Sequence, residues 1–128
     1  MEEKNVVIDT NIFIDHLRNV PGAVEFFTAL QEKNNVYFSA ITETELLTGS
    51  ANNDATKREK LLRFLFRWKK VDAGNPLALI AGDLSRRYSL SVPDALIAAT
   101  AVSLNAELLT RDTKAFKNIP LLRAKEPY

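Results

Sequence analysis

The sequence predicts an α/β protein with three layers, α/β/α, in which a mostly parallel central sheet lies between two layers of helices. Short apolar runs rich in β-branched residues, beginning with Val6 to Ile8, are typical of strands buried on both faces. Helical patterns separate these runs, and strand-helix-strand connections of this kind favour right-handed crossovers between parallel strands.

Length and composition fit one globular domain over residues 1–128. The chain has 128 residues, of which 46% are apolar and 26% charged, enough for a hydrophobic core without disulfides. It has no Cys, which excludes thiolate nucleophiles and Cys-ligated zinc. The start MEEKN does not resemble a signal peptide, and the longest apolar stretch, from Ala95, is far shorter than the roughly 20 residues that span a bilayer. We therefore expect a soluble, cytoplasmic protein.

The first elements are predicted to be a strand, a helix and a second strand. The strand Val6 to Ile8 ends at a turn, and Pro21 suits the first turn of the helix. Asn34-Asn35 is predicted to end this helix, before the strand Val36 to Ser39. The apolar positions of the helix lie on one side: Val24, Phe27 and Leu30.

Two helices are predicted next. Thr42 and Glu45 form a possible capping box for a helix that Gly49 ends, and a polar loop follows over residues 50–56. The second helix runs from about Lys57 to Trp68, and a weak strand lies around Val71.

The last part of the chain predicts two helices and two strands. Asn75-Pro76 indicates a cap and a first-turn proline, ahead of a helical stripe that ends at Tyr88. Another helix begins near Ser91, is apolar nearly all round, and ends at Asn105. A strand at Glu107 to Leu109 and a last strand near Leu121 complete the sheet.

Four acidic residues are predicted to lie at one edge of this sheet. In parallel α/β folds, strand carboxyl ends and helix N-termini meet at the edge where ligands bind. Carboxylates gathered there without Lys or Arg repel one another, and a hard cation such as Mg²⁺ or Mn²⁺ relieves this repulsion. Taken singly, each acid is better explained by helix capping, but the placement of all four at one edge leaves both interpretations open. The acids are Asp9, Glu45, Asp94 and Asp112, with Asn11 and Thr110 as possible orienting groups.

Basic residues are concentrated in the middle of the chain. Residues 1–50 contain 3 basic and 8 acidic residues, and residues 51–128 contain 14 and 8. Between Lys57 and Lys70 there are seven basic residues and one acid, Glu59. This segment predicts a phosphate-facing surface, although a solvated helix face has the same pattern. The candidates for RNA binding are Arg58, Arg63, Arg67 and Lys69.

Four segments, DTN, ITETELLTG, PDALIAATA and LLTRDTKAF, resemble in order the four motifs of PIN-domain ribonucleases. The similarity is greatest to VapC-type toxins of type II toxin-antitoxin systems. It implies a PIN-like fold in which Asp9, Glu45, Asp94 and Asp112 form an acidic metal-binding quartet, supported by Asn11 and Thr110. The fourth acid varies among such toxins, so the resemblance supports Asp112 less strongly than the other three acids.

The resemblance also implies an activity and partners. It implies an endoribonuclease with Mg²⁺ or Mn²⁺ as cofactor, in which metal-activated water cleaves RNA to leave 5′-phosphate and 3′-hydroxyl ends. It further implies a cognate VapB-like antitoxin and a homodimer. The only His, His16, is more typical of packing than of catalysis. Candidate partner surfaces contain aromatic residues, most of which should be core: Phe26, Phe27, Phe64, Phe66 and Trp68.

Other functions remain open at this point. A PIN-type nuclease could act in RNA maturation or decay without an antitoxin. A non-catalytic RNA-binding or scaffold module could use the basic segment alone, which loss of a core acid would favour. A phosphoaspartate receiver also has an Asp after its first strand, but this chain lacks the adjoining acidic pair and the late lysine.

Overall fold

A five-stranded sheet organises the chain. The structure is a computed structural model that describes residues 4–30 and 35–128. All pairings are parallel, and the strand order is β3-β2-β1-β4-β5. The strands are β1 (Val6–Ile8), β2 (Val36–Ser39), β3 (Lys69–Val71), β4 (Glu107–Leu109) and β5 (Arg123–Lys125). The predicted three-layer α/β/α fold is therefore confirmed, with a sheet that is wholly parallel over the described residues.

Helices cover both faces of the sheet. The α-helices are α1 (Thr10–Leu17), α2 (Pro21–Ala29), α3 (Ala40–Leu47), α4 (Ala55–Leu65), α5 (Leu77–Tyr88), α6 (Val92–Ser103) and α7 (Thr113–Phe116), and a 3₁₀ turn spans Ser50–Asn53. Adjacent strand residues point to opposite faces, so Val7 packs with α5 and α6 while Ile8 packs with α1 and α4. Among the described residues, no helix is both long and apolar enough to cross a membrane.

The central strands run directly into helices. Asp9 alone separates β1 from α1, and Ser39, the last residue of β2, is also the N-cap of α3. The register pairs Ile8 with Leu109, so Asp9 and Thr110 follow neighbouring strand ends. These short connections place the N-termini of α1 and α3 at the carboxyl edge of the sheet.

The predicted capping box at Thr42 is wrong. Helix α3 begins at Ala40, and the Ser39 hydroxyl accepts a hydrogen bond from the Ile41 amide at 3.2 Å. Thr42 is fully buried within the helix. The helix starts earlier than the capping pattern indicated because no loop separates it from β2.

Other boundaries differ by a few residues. Helix α2 begins at Pro21 as predicted, but the predicted end at Asn34-Asn35 falls partly outside the described residues. Helix α4 begins at Ala55, because the Asp54 carboxylate caps it by accepting the Thr56 and Lys57 amides.

Two further corrections concern Pro76 and the last strand. Pro76 is the N-cap of α5, with Asn75 before it, rather than a first-turn residue. The last strand is Arg123–Lys125, and Leu121 lies in the preceding turn with 78% of its surface exposed.

Candidate active site

Asp9 is a buried carboxylate at the junction of β1 and α1. Only 5% of its surface is exposed. Its Oδ1 accepts the Thr10 amide and its Oδ2 accepts the Thr110 hydroxyl, both at 2.7 Å. Burial raises the pKa of Asp9 to about 6, against the two hydrogen bonds, and the charges of Asp94 and Glu45 act in the same direction as burial. Asp9 is thus ionised at neutral pH at a cost in folding free energy.

Two buried threonines hold Glu45 in place. The Thr10 hydroxyl donates to Glu45 Oε1 at 2.8 Å, and the Thr10 and Thr42 hydroxyl oxygens are 2.9 Å apart. Because the single Thr10 proton goes to Glu45, the Thr42 hydroxyl is left to donate to Thr10. These threonines were not among the predicted site residues, although Thr10 is the middle residue of the DTN segment.

Asp94 and Asp112 approach the same site from α6 and α7. Asp94 lies in the first turn of α6, where its amide donates to the Ser91 hydroxyl at 3.3 Å. Burial raises the pKa of Asp94, and the charge of Asp112 adds to this effect. Asp112 caps α7, and its own amide donates to Thr110 Oγ1 at 3.0 Å. The capping interpretation is thus also correct for Asp112, without excluding a role in the site.

The predicted acids and Asn11 surround one cavity of about 180 Å³. No Lys, Arg or His contributes to its lining in the part of the chain that the structure describes. The four negative charges have no adjacent cation within this cavity. Its lining consists of Asp9, Thr10, Asn11, Ile14, Glu45, Asp94, Asp112 and Phe116.

The lining fits a hard divalent cation in its chemistry. Carboxylate oxygens are the preferred ligands of Mg²⁺, which commonly binds one or two carboxylates and keeps several waters. Within residues 4–30 and 35–128, no three acidic or His side chains converge closely enough to hold an ion directly. The expectation that the acids jointly coordinate one ion is therefore not met by these side-chain positions, and an ion held by only one or two of the carboxylates would keep several waters.

Asn11 and Thr110 lie where they were predicted, beside Asp9. Asn11 Nδ2 donates to Thr110 Oγ1 at 3.3 Å, and Asn11 Oδ1 accepts the Arg111 amide at 3.3 Å. Thr110 in turn donates to Asp9. Asn11 therefore orients the hydroxyl that binds the buried carboxylate.

The predicted RNA-binding residues are exposed but lie outside this cavity. Arg63 pairs with Glu59 at 2.5 Å, and the Arg67 guanidinium lies 5.5 Å from the centre of the Phe64 ring. Arg58 and Lys69 are also exposed. The structure does not bring the basic segment into the acidic site.

His16 is a packing residue. Its ring stacks on Phe64 with centroids 4.2 Å apart, and burial lowers its pKa. Of the aromatic candidates for partner contacts, Phe27 and Trp68 are buried, whereas Phe66 is 55% exposed. The expectation that most of these aromatics belong to the core agrees with this distribution.

A second, largely apolar groove lies on the α1–α4 side of the sheet. It has a volume of about 480 Å³ and shares no lining residue with the acidic cavity. Leu17, which is 49% exposed, lines it together with Lys57 and Lys60. The groove thus presents an apolar floor with positive charge beside it.

Comparisons with known proteins agree with this architecture. A family model described as PIN domain matches residues 6–122. Ribonuclease VapC19 of Mycobacterium tuberculosis is 32% identical over 123 residues, covering 91% of this chain and 96% of the relative.

Solved structures with the same fold include two complexes. A toxin-antitoxin complex from Klebsiella pneumoniae has a TM-score of 0.81 and 29% identity, covering 97% of this chain and 98% of that one. VapBC2 from Rickettsia felis, bound to a DNA fragment from its promoter, has a TM-score of 0.79 and 26% identity, covering 94% and 97%. The chain therefore belongs to the PIN-domain family, with relatives of the VapC type.

Proposed function

We propose that this protein is a VapC-like toxin, a metal-dependent endoribonuclease that hydrolyses RNA with metal-activated water and leaves 5′-phosphate and 3′-hydroxyl ends. The observation that carries the proposal is the cavity lined by Asp9, Glu45, Asp94 and Asp112, to which no basic residue of the described ranges contributes. The ribonuclease name of the VapC19 relative supports RNA as the substrate.

The residues of the cavity have distinct roles in this proposal. Asp9 and Asp94 would hold the Mg²⁺ or Mn²⁺ ion, with Glu45 and Asp112 completing the negative surface around it. When bound, such an ion stabilises charge on a phosphate and lowers the pKa of a coordinated water. Thr110 keeps Asp9 Oδ2 in a fixed orientation, and Thr10 does the same for Glu45.

A VapB-like antitoxin is the proposed partner, and the homodimer expected from the family remains a prediction. Two structural neighbours are a toxin-antitoxin complex and a VapBC complex. The apolar groove beside α4 fits an apolar segment of such a partner, and Lys57 and Lys60 favour acidic residues next to that segment.

The partner proposal is tested by co-purification with the product of an adjacent small gene. Leu17→Arg should abolish the association, because it puts a charge into the apolar groove. Leu121→Arg is the matched control, since Leu121 is exposed and lies outside this groove. A complex that tolerates Leu17→Arg would mean that the antitoxin binds outside this groove, whereas failure of the wild type to form any complex would favour a PIN-type nuclease of RNA maturation or decay without an antitoxin.

Nuclease activity is tested on total RNA with purified protein. Cleavage with Mn²⁺, its loss with chelator, and new 5′ ends that ligate directly to adapters are expected. Asp94→Asn should abolish cleavage, whereas Asp83→Asn should not, because Asp83 pairs with Arg86 on the surface of α5. RNA binding without cleavage in the wild type would favour the non-catalytic module, and cleavage that persists in chelator would exclude the metal-dependent mechanism.

A further inference from the structure

A hydrogen-bonded network includes Arg111, which lies between two residues of the acidic site, and the proposed chemistry does not account for it. Asp15 is a buried carboxylate of α1, with 8% of its surface exposed. Its Oδ2 accepts two hydrogen bonds, from the Tyr128 hydroxyl at 2.6 Å and from Arg111 Nη1 at 2.9 Å. None of these three residues lines the cavity.

Arg111 connects this network to the site. It lies between Thr110, which binds Asp9, and Asp112, which lines the cavity. Its amide donates to Asn11 Oδ1 at 3.3 Å, while its guanidinium reaches Asp15. Asn11 and Asp15 are four residues apart and share one face of α1. Helix α1 therefore holds the β4–α7 loop at two points, one through the backbone and one through the side chain of Arg111.

Tyr128 reaches Asp15 because Gly22 leaves room for its ring. A β-carbon at position 22 would lie 2.9 Å from Tyr128 Cδ1, closer than real β-carbons approach other atoms, and 3.2 Å from its Cβ, which is tighter than most such contacts. The backbone of α2 is otherwise compatible with alanine, since Gly22 is not in the positive-φ region. Gly22 therefore serves the contact with Tyr128 rather than the conformation of the helix.

We propose that Tyr128 and Asp15 are positioning residues that hold Arg111 and thereby fix Thr110 and Asp112 at the cavity, so that the segment after β5 tunes the affinity of the acidic site for its cation. The proposal rests on the proposed function for the identity of the cation. Its structural part, the anchoring of the loop, rests on the hydrogen bonds alone.

Two substitutions test the network without changing the loop or the cavity. Tyr128→Phe removes the hydroxyl but keeps the ring against Gly22. Gly22→Ala displaces the ring, yet alanine is a better helix former than glycine, so α2 itself should not be weakened. Tyr88→Phe is the control, because Tyr88 is a half-buried tyrosine in α5 on the other side of the sheet.

The first measurement is amide hydrogen exchange at Arg111 and Asp112. These amides donate to the side chains of Asn11 and Thr110, so their protection reports how firmly the loop is held. The second measurement is Mn²⁺ affinity, by titration of the ion alone. Both variants should exchange several-fold faster at these two amides and bind Mn²⁺ about three- to tenfold more weakly, since partners behind ligating groups commonly influence metal affinity. Tyr88→Phe should change neither.

The possible outcomes separate the two proposals. Unchanged exchange at Arg111 and Asp112 in both variants would overturn the network, whatever the activity. Faster exchange with wild-type Mn²⁺ affinity would overturn its role in tuning the site. A wild-type protein that neither binds Mn²⁺ nor cleaves RNA would contradict the proposed function, and the exchange data would still decide whether Tyr128 anchors the loop. If the variants melt at a lower temperature but keep wild-type amide exchange and Mn²⁺ affinity, the network stabilises the fold without positioning the loop.

Discussion

Replacing Asp9 by Asn should stabilise the protein in the absence of divalent metal. The pKa of Asp9 rises from 3.8 to about 6 on folding, mainly through burial. A shift of about 2 units corresponds to roughly 3 kcal/mol of unfavourable free energy for the ionised form. Asn keeps the bond from the Thr10 amide but cannot accept the Thr110 hydroxyl through Nδ2, which costs on the order of 1–2 kcal/mol. The expected net gain is roughly 1–2 kcal/mol.

The pH dependence of this gain has a definite sign. Because the folded pKa of Asp9 lies above the unfolded value, the destabilisation by its charge is complete above about pH 6. It decreases as the pH falls through 6 and vanishes below the unfolded value of 3.8. The advantage of Asp9→Asn should therefore be largest at pH 7–8 and smaller at pH 5.

The assay is urea unfolding in chelator at these pH values, repeated with Mn²⁺. Added Mn²⁺ should stabilise the wild type more than the variant, because stabilisation grows with the ratio of ligand concentration to dissociation constant. RNA cleavage should be lost. Asp72→Asn, which removes an exposed charge, is the control and should change neither stability nor cleavage appreciably. A variant that is less stable than the wild type in chelator at pH 8, yet cleaves RNA, would refute the assignment of Asp9.

Three further predictions concern other parts of the molecule. If the basic segment binds the phosphate backbone of RNA, the double variant Arg63→Ala, Arg67→Ala should bind RNA with a weaker salt dependence. The slope of log RNA affinity against log salt concentration should decrease in magnitude by about 0.7 for each lost phosphate contact. Thr10→Val should destabilise the protein by about 1–3 kcal/mol in urea unfolding and reduce RNA cleavage, because Glu45 loses its buried donor. Burial lowers the pKa of His16, so protonation of His16 favours the unfolded chain. As the pH falls below 6.5, His16→Phe should therefore lose less unfolding free energy than the wild type, as measured by urea unfolding.

Each of these predictions has a clear contrary result. An unchanged salt slope would identify the basic segment as a solvated surface. Thr28→Val is the control for Thr10, because the Thr28 hydroxyl is exposed and bonds only within its own helix. If the Thr10 and Thr28 variants lose cleavage equally, the Thr10 contact does not orient Glu45. Equal acid sensitivity of His16→Phe and the wild type would mean that other groups cause the acid transition.

The central part of the fold could be predicted from the sequence because burial leaves a pattern there. Strands β1 and β2 are apolar runs, and their predicted limits are those observed. Strand β5 has the sequence Arg-Ala-Lys at the sheet edge, where both outer residues are exposed, so hydrophobicity indicated the more apolar Leu121 instead. Edge strands are specified mainly by backbone pairing with a neighbour, which sequence patterns do not reveal.

The sequence indicated the acids of the site and two orienting groups, Asn11 and Thr110, whereas it did not indicate the contacts made by Thr10, Thr42, Asp15 and Tyr128. Asp9 follows an apolar strand, which is visible in the sequence. Thr42 resembles a helix cap in sequence, and only the direct passage of β2 into α3 brings it beside Thr10. Tyr128 and Asp15 are 113 residues apart, so no local pattern links them. Such contacts follow from tertiary packing.

The raised pKa of Asp9 shows that ionisation of this buried carboxylate is unfavourable, although Asp9 is also the N-cap of α1. Hydrogen bonds from the Thr10 amide and the Thr110 hydroxyl stabilise the ionised form and by themselves would lower the pKa. Burial and the charges of Asp94 and Glu45 act against them and prevail, since the pKa rises to about 6. Burial is the larger cause and would act on a buried cap in the same way, whereas the repulsion from Asp94 and Glu45 is specific to the acidic cavity. At neutral pH the site therefore has unfavourable electrostatic energy that a bound divalent cation would relieve, and this supports the proposal that the cavity is built for an ion.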